Sequence, residues 1–490
     1  MQLADLIGPD TPVDDVPDMA IAIAALTADS RQVGPGALFA ALPGANVDGR
    51  RFIADAAHAG AAAILTTRDG TVPPLEIPVL RSADPRRALA LMAARFYGRQ
   101  PATTVAVTGT SGKTSVADFT RQIFAQLGHR AASVGTIGVV TPDAATYGSL
   151  TTPDPVTLAA RLAELADQKI THLAFEASSH GLDQRRLDGI RIAAAAFTNL
   201  SRDHLDYHGN EDAYFAAKSR LFSALLPDGG MAVLNADIPQ YAALTAIARA
   251  RGQRIISFGN AGTDIRVVHS RPEGLGQLVT FEIAGHTRDV LLPLVGGFQV
   301  SNAACAIGLF IATGGDGDAA LDGAAQLKGA DGRMELIGRR ANGAAVFVDY
   351  AHTPDALANA LAALRPHTEG RLSVVFGCGG DRDAGKRPEM GRIAAEAADR
   401  AIVTDDNPRG EDADAIRREI LQGASESGAL AEIGDRRAAI AEAVADLDAG
   451  DVLVVAGKGH ERGQIVGDQI LPFDDREEVA KRLSADGAPS

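Results

Sequence analysis

The stretch Val105-Ala106-Val107-Thr108-Gly109-Thr110-Ser111-Gly112-Lys113-Thr114-Ser115 reads as a buried strand followed by a glycine-rich turn. A helical pattern, Val116–Leu127, comes directly after it. Glycines let such a turn close tightly and aim backbone N–H groups at phosphate oxygens, and the helix N-terminus adds a favourable dipole. Lys113 can neutralise β- and γ-phosphate charge, and the Thr114 hydroxyl can bind Mg²⁺. The general pattern G-x-x-x-x-G-K-[ST] puts its first glycine at position 107, where this chain has Val107. Gly-Lys-Thr between strand and helix still favours a nucleotide loop over a turn without a ligand.

The same alternation extends outward. Leu173–Phe175, Ala232–Leu234, Val346–Val348, Ser373–Phe376, Ala401–Val403 and Val452–Val455 read as buried strands. Pro388–Ala398, with proline in a tolerated first turn, and Asp414–Leu421 read as helices between some of them. This is the signature of parallel sheets built from βαβ units. Breaks at Tyr97–Pro101 and Gly329–Gly332 place domains at about 1–100, 101–333 and 334–490.

The chain has 490 residues, of which 46% are hydrophobic and 22% charged, and a net charge of −15. That length is too great for one ordinary core. The acidic balance argues against non-specific nucleic-acid binding, and any anionic substrate must be met by local Lys and Arg. Cys305 and Cys378 stand in no metal or redox spacing and read as small buried hydrophobes. The apolar stretch Met19–Leu26 follows Asp14, Asp15 and Asp18, the wrong charge for a signal peptide, and is too short to span a bilayer. A soluble cytoplasmic monomer with no nucleic-acid or membrane partner is expected. Ala485–Ser490 reads as a frayed tail.

T-G-T-x-G-K-T resembles the phosphate loop of the Mur ligase family, which includes folylpolyglutamate synthetase. Ala28–Arg31 through Asp48–Ile53 is similar to the N-terminal domain of its tripeptide-forming members. Thr151-Thr152-Pro153, Glu176–Leu182, Phe197–Gly209 and Ala217-Lys218 resemble the family's central motifs. Asp349–Asp355, Gly377–Pro388, Asp406–Arg409 and Gly457–Glu461 resemble those of its last domain, and all stand in family order. The resemblance implies an α/β chain of three domains: a smaller N-terminal α/β domain, a central P-loop NTPase-like parallel sheet, and a C-terminal Rossmann-like domain. It implies an ATP- and Mg²⁺-dependent amide ligase of peptidoglycan biosynthesis. Such an enzyme adds meso-2,6-diaminopimelate to UDP-N-acetylmuramoyl-L-alanyl-D-glutamate. A carboxylate is a poor acyl donor, so ATP first converts it to an acyl phosphate that the amine then attacks. The protein's part is positioning and charge neutralisation.

The resemblance also implies roles. Gly109, Thr110, Ser111, Gly112, Lys113, Thr114 and Ser115 hold the nucleotide, with Asn302, Arg333 and Asp349 completing its site and His352 close by. Gln299 stands where the family more commonly has asparagine. Thr114, Glu176, His204 and a carbamylated Lys218 bind Mg²⁺; Lys113, Glu176, His204 and Lys218 form the catalytic set. Alone, Glu176 could be a surface carboxylate at a strand end, His204 a histidine satisfied by its loop, and Lys218 a solvated helix lysine. Ser30 and Asn46 meet the uridine-nucleotide end of the substrate. Thr151, Thr152, Ser178, Gln184 and Arg186 hold its muramoyl-dipeptide end. Arg382, Asp406, Asn407, Pro408, Arg409, Gly457 and Glu461 receive the amino acid. Domain closure is expected, because the ATP and amino-acid residues fall on different predicted domains.

Meso-diaminopimelate differs from lysine by a second carboxylate. Arg409 supplies a planar fork for it, whereas a lysine site needs no cation there. By itself, Asp406–Arg409 is also a plain turn. Two rivals remain: another ligase of the family, or a P-loop switch that ligates nothing. A switch needs neither Glu176, His204 and Lys218 nor Arg409. Arg409→Ala is expected to weaken kcat/KM for meso-diaminopimelate by about 1.5–3 kcal/mol, the worth of a lost charged hydrogen bond. An unchanged value removes Arg409 from the site.

Overall fold

Valine-, alanine- and leucine-rich runs supply most of the strands, because a sheet covered on both faces rewards continuous apolar sequence. The structure is a computed structural model. It describes residues 1–14, 20–44, 47–148, 150–424 and 430–485. Asp15, Asp18, Met19, Asn46 and the tail 486–490 lie outside the described residues. The chain divides into two compact units, Met1–Ile265 with Cys305–Ala320, and Arg266–Ala304 with Leu321–Ser490.

The first unit opens with β1 (Ala25–Thr27), β2 (Ala37–Ala41), β3 (Ala63–Thr67) and β4 (Val79–Ser82), a parallel sheet in that order. Its second sheet uses β5 (Thr103–Thr108), β6 (Ala131–Gly135), β7 (Gly138–Val140), β8 (Ala145–Thr146), β9 (His172–Glu176), β10 (Ala194–Phe197), β11 (Met231–Asn235) and β12 (Arg254–Gly259). The order is β12-β11-β10-β5-β9-β6-β7-β8, parallel from β12 to β6, with β7 and β8 antiparallel at one end. Register sets Glu176 beside Val107 and Phe197 beside Thr108, so the ends of β5, β9 and β10 coincide.

Helix Pro85–Tyr97, after the first sheet, packs on helix Pro155–Asp167: Ala159 and Val156 join the apolar cluster of Leu89 and Met92. Ion pairs reinforce that junction. Asp84, which caps the first of these helices, accepts from Arg185 Nε at 2.8 Å, and buried Asp188 meets Arg87 at 3.4 Å and Arg220 at 2.9 Å.

The second unit contains β13 (Ile265–Glu273), which begins at the boundary, then β14 (Gly276–Ile283) and β15 (His286–Leu292), an antiparallel pair. Its main sheet comprises β16 (Glu335–Arg339), β17 (Ala345–Asp349), β18 (Leu372–Phe376), β19 (Arg400–Val403), β20 (Leu430–Glu432) and β21 (Val452–Ala456). The order is β16-β17-β21-β18-β19-β20, parallel except for β16. A hairpin, β22 (Gly463–Val466) and β23 (Gln469–Pro472), follows. β21 shows the doubly covered pattern: Val452, Val454 and Ala456 enter one apolar cluster, Leu453 and Val455 the other. Each such buried Val or Leu is worth about 1.5–3 kcal/mol.

Every run read as a buried strand in the sequence lies within one of these strands. The helices start earlier than expected: at Lys113 and Lys386, because polar first-turn residues carry no apolar period, and at Ala413, one residue before Asp414. Cys305 and Cys378 are buried, and burial pushes both thiols up. No helix among the described residues is long and apolar enough to cross a membrane.

Candidate active site

Backbone geometry makes the phosphate loop possible. Gly109 takes a φ of 141°, and a Cβ there would stand 2.0 Å from the Thr198 hydroxyl at the end of β10. Only glycine fits. The neighbouring strand end then pins the loop: Ser111 N–H donates to Asn199 Oδ1 at 2.9 Å, and Thr110 N–H to the Asn199 carbonyl at 2.8 Å. Helix Lys113–Gln126 starts directly on the loop, and Lys113 Nζ folds back onto the Gly109 and Thr110 carbonyls at 3.0 and 2.7 Å.

Glu176 ends β9, next to that loop, and is buried. Its carboxylate accepts from the Thr136 N–H at 2.6 Å and the Thr136 hydroxyl at 3.1 Å. Gly135 must lack a side chain, since a Cβ would come within 2.0 Å of Glu176 Oε1. The Thr136 hydroxyl also meets that of Thr151 at 3.0 Å. The Thr152 hydroxyl donates to the Glu176 carbonyl at 3.0 Å and accepts from the Ser178 hydroxyl at 3.0 Å. Arg186 donates to the Thr152 carbonyl at 2.6 Å and to Gln184 Oε1 at 2.7 Å. Thr151, Thr152, Glu176, Ser178, Gln184 and Arg186 therefore form one network. Ser30 opens the turn Ser30–Gln32 and shares no hydrogen bond with them among the described residues.

Lys218 is not a solvated helix lysine. It is 1% exposed, donates to the Gly109 carbonyl at 2.6 Å, and lies 4.4 Å over the Tyr214 ring. Burial first, and then the Lys113 ammonium, drive its pKa down to about 6, against the opposing pull of Asp203. His204 is exposed and takes φ 51°, with Nε2 3.5 Å from the Asp203 carboxylate. Its ring meets His180 edge-on at 4.9 Å and Tyr214 at 6.3 Å, which joins it to the Lys218 group.

In the second unit, loops after β17, β18, β19 and β21 share the carboxyl edge of the parallel sheet, where open α/β sheets gather ligands. Gly380 N–H donates to the Asn407 carbonyl at 2.9 Å. Arg409, at φ 52°, donates through Nη1 to the Gly380 carbonyl at 2.9 Å and the Asn407 carbonyl at 3.4 Å. Its backbone is stitched to the hairpin, N–H to the Ile465 carbonyl at 3.0 Å and carbonyl to the Gly467 N–H at 2.7 Å. Asn407 Nδ2 donates to Glu461 Oε2 at 2.9 Å. Gly457 lies against Asp406, whose Oδ2 would be 2.7 Å from an added Cβ. Pro408 is buried, and Arg382 is exposed beside Asp381.

The remaining nucleotide candidates make a second group in that unit. Asn302 donates to Gln299 Oε1 at 2.9 Å, and Gln299 to the Arg333 carbonyl at 3.4 Å. The Arg333 guanidinium lies 4.4 Å over the Tyr350 ring, and its buried Nε has no partner among the described residues. The His352 ring is 4.6 Å from that of Tyr350. Asp349 accepts from the Met334 and Ala351 N–H groups at 2.6 and 2.9 Å, and burial raises its pKa.

Family models match along the chain: the Mur ligase family catalytic domain at 22–97, the Mur ligase middle domain at 107–310, and the Mur ligase glutamate ligase domain at 332–459. A UDP-N-acetylmuramoyl-L-alanyl-D-glutamate--2,6-diaminopimelate ligase of Bradyrhizobium diazoefficiens is 55% identical over 99% of both chains. The ligase of that name from Caulobacter vibrioides is 56% identical over 94% of this chain and 95% of its own. The chain belongs to the Mur ligase family. A solved structure of a ligase with that same name covers 100% of both chains with a TM-score of 0.74 at 34% identity. A MurF ligase of Thermotoga maritima in complex with ADP shares the fold, with a TM-score of 0.61 at 20% identity over 96% and 99% of the two chains. The α/β fold of three domains is thus that of the family.

Two residues escaped the sequence. Thr136, which holds the Glu176 carboxylate, lies just past β6 at the same sheet edge, a position the strand pattern could have flagged. Lys458, within Gly457–Glu461, carries no sequence signal of a role, yet it is fully buried. Glu176, like Lys218, is no surface group.

The Lys218 amine loses its proton near pH 6 in the native protein and near its ordinary 10.5 in the unfolded chain. Between those values the unfolded state binds more protons, so stability rises with pH across that window. Urea unfolding in carbon dioxide-free buffer is expected to show the rise in the parent chain and a flatter profile in Lys218→Met. Equal slopes would contradict the burial of this amine.

Proposed function

We propose that the chain is a cytoplasmic ATP-dependent ligase that adds meso-2,6-diaminopimelate to UDP-N-acetylmuramoyl-L-alanyl-D-glutamate in peptidoglycan biosynthesis. The observation that carries this is the 55% identity over 99% of both chains to a relative of that name. The gathering of Arg409, Asn407 and Glu461 in one hydrogen-bonded cluster supports the choice of amino acid. The domains run at about 1–100, 101–333 and 334–490, a division supported by the three matched segments.

The loop Gly109–Ser115 and Lys113 bind the ATP phosphates. The Thr151–Arg186 network holds the acceptor end of the nucleotide-sugar substrate, with Ser30 and Asn46 on its uridine end. The substrate carboxylate attacks the γ-phosphorus, ADP leaves, and the resulting acyl phosphate is attacked by the amine; phosphate departs from the tetrahedral intermediate. Asn302, Arg333 and Asp349 serve the adenosine end of the nucleotide. Arg409, Arg382 and Asn407 take the distal carboxylate of diaminopimelate, with Asp406, Pro408 and Gly457 shaping the loop and Glu461 taking the ammonium.

Among the described residues, no group of three or more His, Cys, Asp or Glu could hold a metal ion unaided. A hydroxyl from Thr114 and a carboxylate from Glu176 instead suit Mg²⁺ that arrives on phosphates, because Mg²⁺ keeps several waters and takes few protein ligands. Bound there, it supplies charge neutralisation for phosphoryl transfer. His204 and Lys218 would hold a second ion. A Lys218 ammonium would repel it, but a neutral amine can add carbon dioxide and lose a proton, giving a carbamate anion. The low pKa supports that role.

Phosphate release from ATP, measured with the nucleotide-sugar dipeptide and one amino acid at a time, tests the reading. Meso-diaminopimelate is expected to be required, and lysine to be a poor substitute. Lys218→Ala is expected to be nearly inactive and partly restored by a small carboxylate. Hydrolysis that needs no amino acid would instead mark a nucleotide switch.

A further inference from the structure

Lys458 follows β21 by two residues and is 0% exposed, the least accessible lysine position a solvated chain offers. An ammonium is tolerated there only if its hydrogens are met. Its Nζ donates to Asn407 Oδ1 at 3.0 Å and to Glu461 Oε2 at 3.1 Å. The Ile465 N–H donates to the same Asn407 oxygen at 2.9 Å. Asn407 Nδ2 in turn donates to the same Glu461 oxygen at 2.9 Å.

These bonds fix the polarity of two groups. The Asn407 amide oxygen already receives two donors, so its side chain has only a second Nδ2 hydrogen left to give. Both donors to Glu461 fall on Oε2, so Oε1 keeps no partner among the described residues. Arg409 adds further N–H groups, held on the Asn407 carbonyl. Donors from Asn407 and Arg409 suit a carboxylate; the open Glu461 oxygen suits an ammonium.

We propose that Lys458 is a positioning residue for amino-acid selection: it locks Asn407 as a donor and reserves one Glu461 oxygen, so that the site takes a side chain ending in both ammonium and carboxylate. This rests on the reading of Asp406–Arg409 and Gly457–Glu461 as the amino-acid subsite. Without the lysine, the Glu461 carboxylate loses its cationic hydrogen-bond donor and keeps the neutral one from Asn407. The site then gains attraction for a bare ammonium and loses it for a carboxylate.

The test compares kcat/KM for meso-diaminopimelate and L-lysine in the full-length chain, with KM for ATP and for the nucleotide-sugar substrate as references. Lys458→Met is expected to narrow the preference for diaminopimelate by about tenfold, the worth of one charge-assisted hydrogen bond. The two reference KM values are expected to stay within about twofold, a difference too small to reflect a lost bond. A merely structural lysine would weaken both amino acids alike. Asn407→Asp keeps the shape and the lysine bond but replaces the donor with an acceptor. It is expected to narrow the preference too, which keeps the test open if Lys458→Met does not fold. An unchanged preference in the folded variants, or parallel loss of all substrates, overturns the proposal. Arg409→Ala separates the two levels. If it too leaves diaminopimelate unaffected, the subsite reading itself fails; if it weakens diaminopimelate while the other variants keep the preference, only the role of Lys458 fails.

Discussion

Parallel strand pairing is the constraint from which both candidate sites follow. Each crossover must return the chain to the same starting edge, so every loop after a strand opens at the opposite, carboxyl edge. In the first unit this sets the loop after β5 between the ends of β9 and β10. Glu176 and Asn199 come to it from either side without any contact between them in sequence. In the second unit the same rule aligns the loops after β17, β21, β18 and β19. The antiparallel strands β7, β8 and β16 stand outside this parallel run and contribute none of the candidate residues.

Buried charge is the second theme, and it is handled in two ways. Arg436 and Asp475, 1% and 0% exposed, are joined by two bonds of 2.7 Å, and Arg436 also donates to the Ala456 carbonyl at the end of β21. Removing one partner of such a pair typically costs about 3–5 kcal/mol, and Arg436 also donates to the Asp405 carbonyl at 3.4 Å, directly before the Asp406–Arg409 loop. Lys458 is likewise compensated. Lys218 is not: among the described residues it has a carbonyl and an aromatic face but no carboxylate in contact, and a second lysine nearby. An amine in that setting sheds its proton, which makes it chemically different from the other buried cations.

Strands were legible because covered parallel strands are apolar throughout; Val105–Val107 and Val452–Val455 need no partner to be recognised. Helix starts were less so, since Lys113 and Lys386 begin helices with residues that carry no apolar period. The network Thr151–Thr152–Glu176–Ser178–Arg186 could be named from motifs but not drawn, because its bonds join loops far apart in the chain. Lys218 shows the limit most clearly. Its burial depends on Tyr214 and Gly109, and Gly109 lies 109 residues earlier in the sequence. Lys458 escaped for a related reason: its partners Asn407 and Glu461 come from different loops, and a lysine between two glycines carries no sign of which way it points.

Ligation by this route requires ATP to activate a carboxylate through transfer of its terminal phosphoryl group. Oxygen tracing measures this directly. With the acceptor carboxylate of the nucleotide-sugar substrate labelled with oxygen-18, turnover in the presence of meso-diaminopimelate and ATP should transfer one labelled oxygen to inorganic phosphate and leave the other in the new amide. Phosphate free of label, with amide formed, would contradict an acyl phosphate and the chemistry assigned to the phosphate loop.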